Sequence, residues 1–283
     1  MDMDEIMQIL MDGSQNTLRF MVPEGYTLKQ IADKFAETGN GTAEDFLNET
    51  ENGDFDFKYN DQMVDGEKRY EGFLYPDTYE IYKNESAHGI IQRMLTRFEQ
   101  VYDAAADEAT VDTSKYSVFD LVTVASLIER EVKLDEERPL VASVIYNRLN
   151  KNMKLQMCST VQYALGTPKA RLMNSDLKID SPYNTYQNAG LPAGPIASPG
   201  QASISAALHP ADTDYLYFVL TSAGSGKHNF ASTGDDFSSY RGVTTTKTYT
   251  YSKVWSGQAI DSSEFKESGH DNPGALEFPY VGD

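Results

Sequence analysis

The chain has 283 residues, 40% of them hydrophobic, a formal net charge of −19 and a pI near 4.5. That length and apolar share suffice to bury a sizeable core in more than one folding unit. The acidity excludes a nucleic-acid binder, which needs a positive footprint, and disfavours docking on anionic lipid headgroups.

Residues 4–12 read as a short amphipathic helix stopped by Gly13. The opening Met1-Asp-Met-Asp-Glu5 reads as a cut inside a longer protein. With no signal peptide and no apolar run of about 18 residues, the stretch itself is expected to be soluble, any anchor lying upstream. Thr17 to Val22 reads as a strand and Pro23-Glu-Gly25 as a turn. Thr27 caps a helix carrying Leu28, Ile31, Ala32 and Phe35, and Thr42 with Asp45 opens another. Together these predict a small β-α-α module.

Residues 50–69 are acidic and irregular and read as a linker or loop. Glu71 to Tyr82, with aromatics around Pro76, suggests an extended segment packed on a larger domain. A helix from Ser86 to Tyr102 follows. Ser117 with Asp120 caps the helix of Val118 to Val132, and Pro139 opens the next. Thr160 to Leu165 is a short helix ended by Gly166, residues 181–200 form a Pro/Gly-rich loop, and Pro199 starts a helix through Leu208. Tyr215 to Leu220 is an apolar strand. After about residue 242 the chain turns Ser/Thr/Gly/Asp-rich, with one candidate strand at Val243 to Tyr251 and a weakly ordered end. The fold class is α+β, divided as residues 1–67, 68–242 and 243–283.

Glu129 is the most informative residue. On the Val118 to Val132 helix, Val118, Leu121, Val122, Ala125, Ile128 and Val132 share one apolar face. Glu129 lies about 20° from Val122 in helical rotation, so it points with that face. Glu131 lies about 180° away, on the side expected to be wetter. An acid on an apolar face is costly to ionise, a setting that suits proton exchange near neutrality. The plainer alternative is an edge residue whose stem packs while its head reaches water.

Two further segments carry more polar and aromatic residues than packing requires. Gln156, Ser159 and Thr160 offer neutral donors and acceptors, and Tyr183, Asn184, Thr185 and Tyr186 form a polar, ring-bearing loop. Such a set suits an uncharged ligand such as a sugar, which stacks on rings and takes neutral hydrogen bonds; an ordinary turn with aromatic anchors is the alternative. Cys158, the single cysteine, reads as a buried small residue, and His228 as a surface turn histidine. Ser126 and Ser159 lack a Gly-x-Ser-x-Gly context. Neither the scattered histidines nor the lone cysteine has metal-ligand spacing, and no Gly-rich phosphate loop precedes a helix, so no metal or cofactor is expected.

Several motifs in order carry a resemblance. Pro23-Glu-Gly-Tyr-Thr27, Glu71-Gly-Phe-Leu-Tyr-Pro-Asp-Thr-Tyr79, Ala125-Ser-Leu-Ile-Glu-Arg-Glu131, Ala142 to Leu149, Leu155-Gln156, Tyr183-Asn-Thr-Tyr186 and Gly190-Leu-Pro192 make the chain similar to the MltG (YceG-like) endolytic murein transglycosylase family. The likeness runs from about residue 17 to about 235. It implies a LysM-like module followed by a catalytic domain on the outer face of the cytoplasmic membrane, tethered by an N-terminal helix that this sequence lacks. It also implies that Glu129 is catalytic. The implied reaction cuts the bond between N-acetylmuramic acid and N-acetylglucosamine in peptidoglycan strands and leaves 1,6-anhydro ends, with one Glu as acid and then base. Gln156, Tyr183, Asn184 and Tyr186 would hold the glycan, and the partners would be glycan strands and cell-wall synthases. The competing expectations are a wall-binding scaffold that holds glycan without cutting it and a hydrolytic muramidase pairing Glu129 with Glu131 or another acid. The chain departs from the family pattern at Met157-Cys-Ser159, where a Ser/Thr-Asp-Pro run is common, and at Ala193, where a second proline is usual.

Overall fold

β1 (Thr17–Met21) leads through the turn at Pro23 into two helices whose starts are set by local side chains. In the computed structural model, which describes residues 17–240 except 168, 170, 171, 223 and 224, together with residues 3 and 7, both starts are capping boxes. At α1 (Leu28–Glu37) the Gln30 N–H donates to Thr27 Oγ1 and the Thr27 N–H donates to the Gln30 side chain. Thr42 and Asp45 repeat this at α2 (Ala43–Asn52). Leu28, Ile31, Ala32 and Phe35 form the buried stripe of α1, with the Phe35 ring 5.0 Å from that of Phe46 on α2. The strand expected at 243–251, the tail beyond it, and all but residue 7 of the helix expected at 4–12 lie outside the described residues.

β1 finds its partner far along the chain. β2 (Thr78–Tyr82) runs antiparallel to it, with Phe20 opposite Tyr79 and Leu18 opposite Ile81. Tyr79 and Ile81 point inward and their neighbours outward, the period of a half-buried strand. The sheet of the first unit is therefore completed beyond residue 67.

The stretch expected to be a linker at 50–69 is instead part of the core. Phe55, Phe57 and Tyr59 alternate with Asp54, Asp56 and Lys58, and all three rings are buried. They join Tyr70, Phe73, Phe98 and Tyr102 in an aromatic cluster with centroid spacings from 5.0 to 6.5 Å. No strand pairs with this segment among the described residues. Side chains of α3 (Ala87–Ala106) serve its backbone: Gln92 accepts from the Asp56 N–H and donates to the Asp56 carbonyl, and Glu99 accepts from the Lys58 N–H. Acidic composition suggested solvent, whereas the period-2 placement of the rings decided burial.

α4 (Val118–Glu131) is the central element, buried without a break from Leu121 to Ile128. It packs against α7 (Gln201–Leu208), which also touches α3 and α5 (Arg138–Asn150), while α6 (Cys158–Leu165) meets its C-terminal end. β3 (Tyr217–Leu220) and β4 (His228–Ala231) form a second antiparallel hairpin beside α5, and residues 234–240 are helical. Gly72, at φ +84°, lets its segment meet the Pro/Gly-rich loop, since a Cβ there would come within 2.4 Å of Pro195. Helices and small antiparallel sheets make an α+β architecture. Among the described residues no helix is long and apolar enough to cross a membrane.

Ser117 caps α4 through the Asp120 N–H at 3.1 Å, with Asp120 returning the bond. We expect Ser117→Ala to lower the unfolding free energy by about 1 kcal/mol in urea denaturation. A loss below a few tenths would show that the Gln62 side chain, which accepts from the Val118 N–H, holds the helix start by itself.

Candidate active site

The last turn of α4 is a junction at which three consecutive side chains reach three different elements. Glu129 reaches α7: its Oε2 accepts from the Gly200 N–H at 3.0 Å and from Ser203 Oγ at 2.8 Å. Arg138, at the start of α5, places Nη1 at 3.3 Å from the same oxygen, and both side chains of this pair are only 8% exposed. Arg138 also donates to Ser203 Oγ and, through Nε, to Asp135. Gly200 is the residue before α7, so its N–H lies at the positive end of that helix. Among the described residues no group donates to Glu129 Oε1, which leaves that oxygen to meet a ligand.

Arg130 reaches the turn after β1, where its guanidinium donates to the Gly25 carbonyl at 3.2 Å. Glu131 reaches α6. It is half-buried rather than on a wetter face, and its Oε1 accepts from Ser159 Oγ at 2.6 Å and from the Ser159 N–H at 3.2 Å. Burial pushes its pKa up, opposed by those two hydrogen bonds. The residue before α6 is Met157, whose side chain cannot cap, so Glu131 supplies from another helix the acceptor that the local sequence lacks.

The other polar residues singled out in the sequence hold the loops together. Thr160 and Thr185 are buried and share a hydroxyl contact of 3.0 Å, and Thr185 also accepts from the Met157 N–H. Asn184 is buried, donating to the carbonyls of Leu177 and Ile179 and accepting from the Tyr186 N–H. The Tyr186 hydroxyl meets Cys158 Sγ at 3.2 Å, and burial pushes the Cys158 thiol up to about 12, so it is no thiolate nucleophile. Gln156 is exposed and takes a left-handed φ of +52°, an uncommon state for a non-glycine residue and one that clusters at functional sites.

Tyr183 stacks obliquely on Tyr163 at 4.8 Å, with Lys68 Nζ over both rings at 4.4 Å. Tyr163 donates to Glu71 Oε2 at 2.8 Å, and the other oxygen of Glu71 accepts from the Leu28 N–H that opens α1. Glu71 thus ties the first unit to α6. Burial raises its pKa to about 7, against the lowering effect of the Tyr163 and Leu28 hydrogen bonds. Between pH 4.5 and 7 the folded chain holds this proton while the unfolded chain loses it, so its stabilising contribution is full below 4.5 and lost as the pH rises to about 7. The expected loss of stability over that window is about 3 kcal/mol, read from urea denaturation at a series of pH values. Glu71→Gln should flatten this slope; an unchanged slope would assign it to other groups.

His228 differs from its expected surface turn. It lies buried on β4, where its N–H donates to Glu137 Oε1 at 2.9 Å and Nδ1 lies 2.6 Å from Glu137 Oε2. The strand carries it inward because it pairs with Leu220 against the core, a pairing that the short Gly-rich turn hid. Arg138, Ser203, Glu71 and Glu24 were not singled out as site residues. Glu24 and Glu71 belong to motifs quoted above, whereas Arg138 and Ser203 carried no local signal. Among the described residues no group of three or more His, Cys, Asp or Glu side chains could hold a metal ion.

A model of the YceG-like family matches residues 1–241. The chain belongs to the YceG-like family. An endolytic murein transglycosylase of Bacillus subtilis is 40% identical over 236 residues, covering 79% of this chain and 65% of the relative. One of Streptococcus pneumoniae is 34% identical, covering 76% and 42%. The chain therefore spans less than two thirds of the length of these relatives. The crystal structure of a YceG-like protein from Listeria monocytogenes superposes with a TM-score of 0.70 at 37% identity, covering 84% of this chain and 81% of that one. A model for transmembrane protein 43 also matches residues 231–280, most of which lie outside the described residues. The YceG-like match takes in every described strand and helix, so both the Glu129 junction and the Glu71 tie lie inside the family region.

Proposed function

We propose that this YceG-like chain is an endolytic lytic transglycosylase of peptidoglycan, with Glu129 as its single acid and base. Glu129 Oε1 would protonate the oxygen linking N-acetylmuramic acid to N-acetylglucosamine. As that bond breaks, the 6-hydroxyl of the muramic acid attacks its own anomeric carbon and gives its proton to the same carboxylate. The product is a 1,6-anhydro end, and no water enters. The observation that carries this reading is the asymmetric hold on Glu129: three donors fix Oε2 and leave Oε1 to the substrate. A fixed carboxylate gives the geometry that general acid–base catalysis needs. The curated names of the Bacillus and Streptococcus relatives support the substrate class.

Gln156 and Tyr183 are the polar residues of the flanking loops best able to meet sugar, since Ser159, Thr160, Asn184, Thr185 and Tyr186 are engaged within the protein. The order β1-α1-α2-β2 supports reading the first unit as LysM-like. A place outside the cytoplasmic membrane, beside cell-wall synthases, follows from the same reading. Digestion of purified glycan strands, with the new ends read by mass spectrometry, tests it. Anhydro ends are expected; reducing ends would instead mean hydrolysis with a second acid, and binding without cleavage would mean a scaffold.

A further inference from the structure

The turn after β1 brings a second carboxylate to the cradle of Glu129. The Gly25 N–H donates to the Ser198 carbonyl and the Ser198 N–H to the Tyr26 carbonyl, both at 2.8 Å, while Arg130 holds the Gly25 carbonyl. So clamped, Glu24 lays its carboxylate on Gly200, where an added Cβ would lie 1.8 Å from Glu24 Oε1 and 2.7 Å from Oε2. Gly200 is also the residue whose N–H holds Glu129 Oε2. These contacts and standard bond lengths put the two carboxylates no more than about 7 Å apart. Glu24 as a whole remains exposed to solvent.

The reaction requires Glu129 to arrive with a proton, yet its Oε2 is met by an N–H, a hydroxyl and a guanidinium, partners that suit a carboxylate. A nearby negative charge opposes them. The charged and titratable groups around Glu24 are Glu129 and Arg130 from α4, Asp135 and Arg138 at the entry to α5, and Tyr75 with Arg97 over its ring. Arg97 pairs with Asp77, whereas Arg138 pairs with Glu129 and also acts on Glu24, so it is a cation that the two carboxylates share.

We propose that Glu24 is a positioning residue for the catalytic proton: its charge, set beside Glu129 across Gly200, keeps one proton on the pair so that Glu129 enters the reaction as an acid. This deepens the transglycosylase reading and rests on it. The charge on either carboxylate disfavours ionisation of the other, so the pair resists losing its last proton. It also gives the turn after β1 a part in catalysis.

The test compares the pH profile of anhydro-end release from glycan strands for the unaltered chain and Glu24→Gln. Without the charge of Glu24 the pair loses its last proton at lower pH, so the alkaline limb of kcat should move down by about one pH unit. On that limb kcat falls about tenfold, with KM and the melting temperature unchanged. A uniform fall with the limb in place would mean a structural role and would overturn the proposal. Coupling is reciprocal, so the upper titration step that the Glu24 carboxyl carbon resonance shares with Glu129 in the unaltered chain should be lost in Glu129→Gln, leaving one step at lower pH. An unmoved resonance overturns the proposal even if Glu24→Gln does not fold. A chain that makes no anhydro ends but shows this coupling would refute the transglycosylase reading alone.

Discussion

Glu129→Gln is expected to remove anhydro-end formation, a loss of about 10²- to 10⁴-fold, with the fold intact. The amide keeps the shape of the side chain and an oxygen for the Gly200 and Ser203 donors, so the packing of α4 on α7 need not change. What it lacks is a proton acidic enough for the glycosidic oxygen and a base for the 6-hydroxyl. Timed digestion of glycan strands, beside circular dichroism and a thermal melt of the same variant, measures both halves of the claim. Activity within about tenfold of the unaltered chain would remove Glu129 from the acid–base role.

Arg138→Met should be the most damaging of these changes to stability. Arg138 and Glu129 are both 92% enclosed, and the cation also serves Ser203 and Asp135. Removing it leaves the one negative charge of the Glu24–Glu129 pair without its enclosed counter-charge, and stranding a buried charge typically costs about 3–5 kcal/mol. Little of that belongs to Asp135, whose side chain is 79% exposed. Combining Arg138→Met with Glu129→Gln removes the stranded charge, so the double variant should be more stable than the sum of the single changes predicts. Urea denaturation of the three variants closes the cycle. Additive losses would show that the pair is not coupled, and the cradle drawn around Glu129 would then need another anchor.

Much of the fold was legible because it rests on contacts within four residues. Thr27, Thr42 and Ser117 each carry their acceptor or donor partner three positions on, and each starts its helix. The apolar face of α4 was equally plain, since helical period alone sets which residues share a side. The Phe55-Asp-Phe-Lys-Tyr59 segment misled in the opposite way. Its acidic composition resembles a solvated linker, yet its backbone is served by Gln92 and Glu99 of α3, partners that no local rule announces. Glu131 misled for a related reason: rotation on an isolated helix placed it outward, and α6 then packed over it.

By itself the sequence determined the helices from Leu28 through Leu208, the strands β1 and β3, the place of Glu129 beside an apolar helical face, and, through its ordered motifs, the family. Only the tertiary structure decided what surrounds that carboxylate. Gly200 lies 71 residues along the chain from Glu129, and Gly25 lies 105 from Arg130. No propensity or period acts over such separations. Burial of the apolar faces of α4, α5 and α7 brings these groups together, and a buried carboxylate then requires the donors and cation that it finds there.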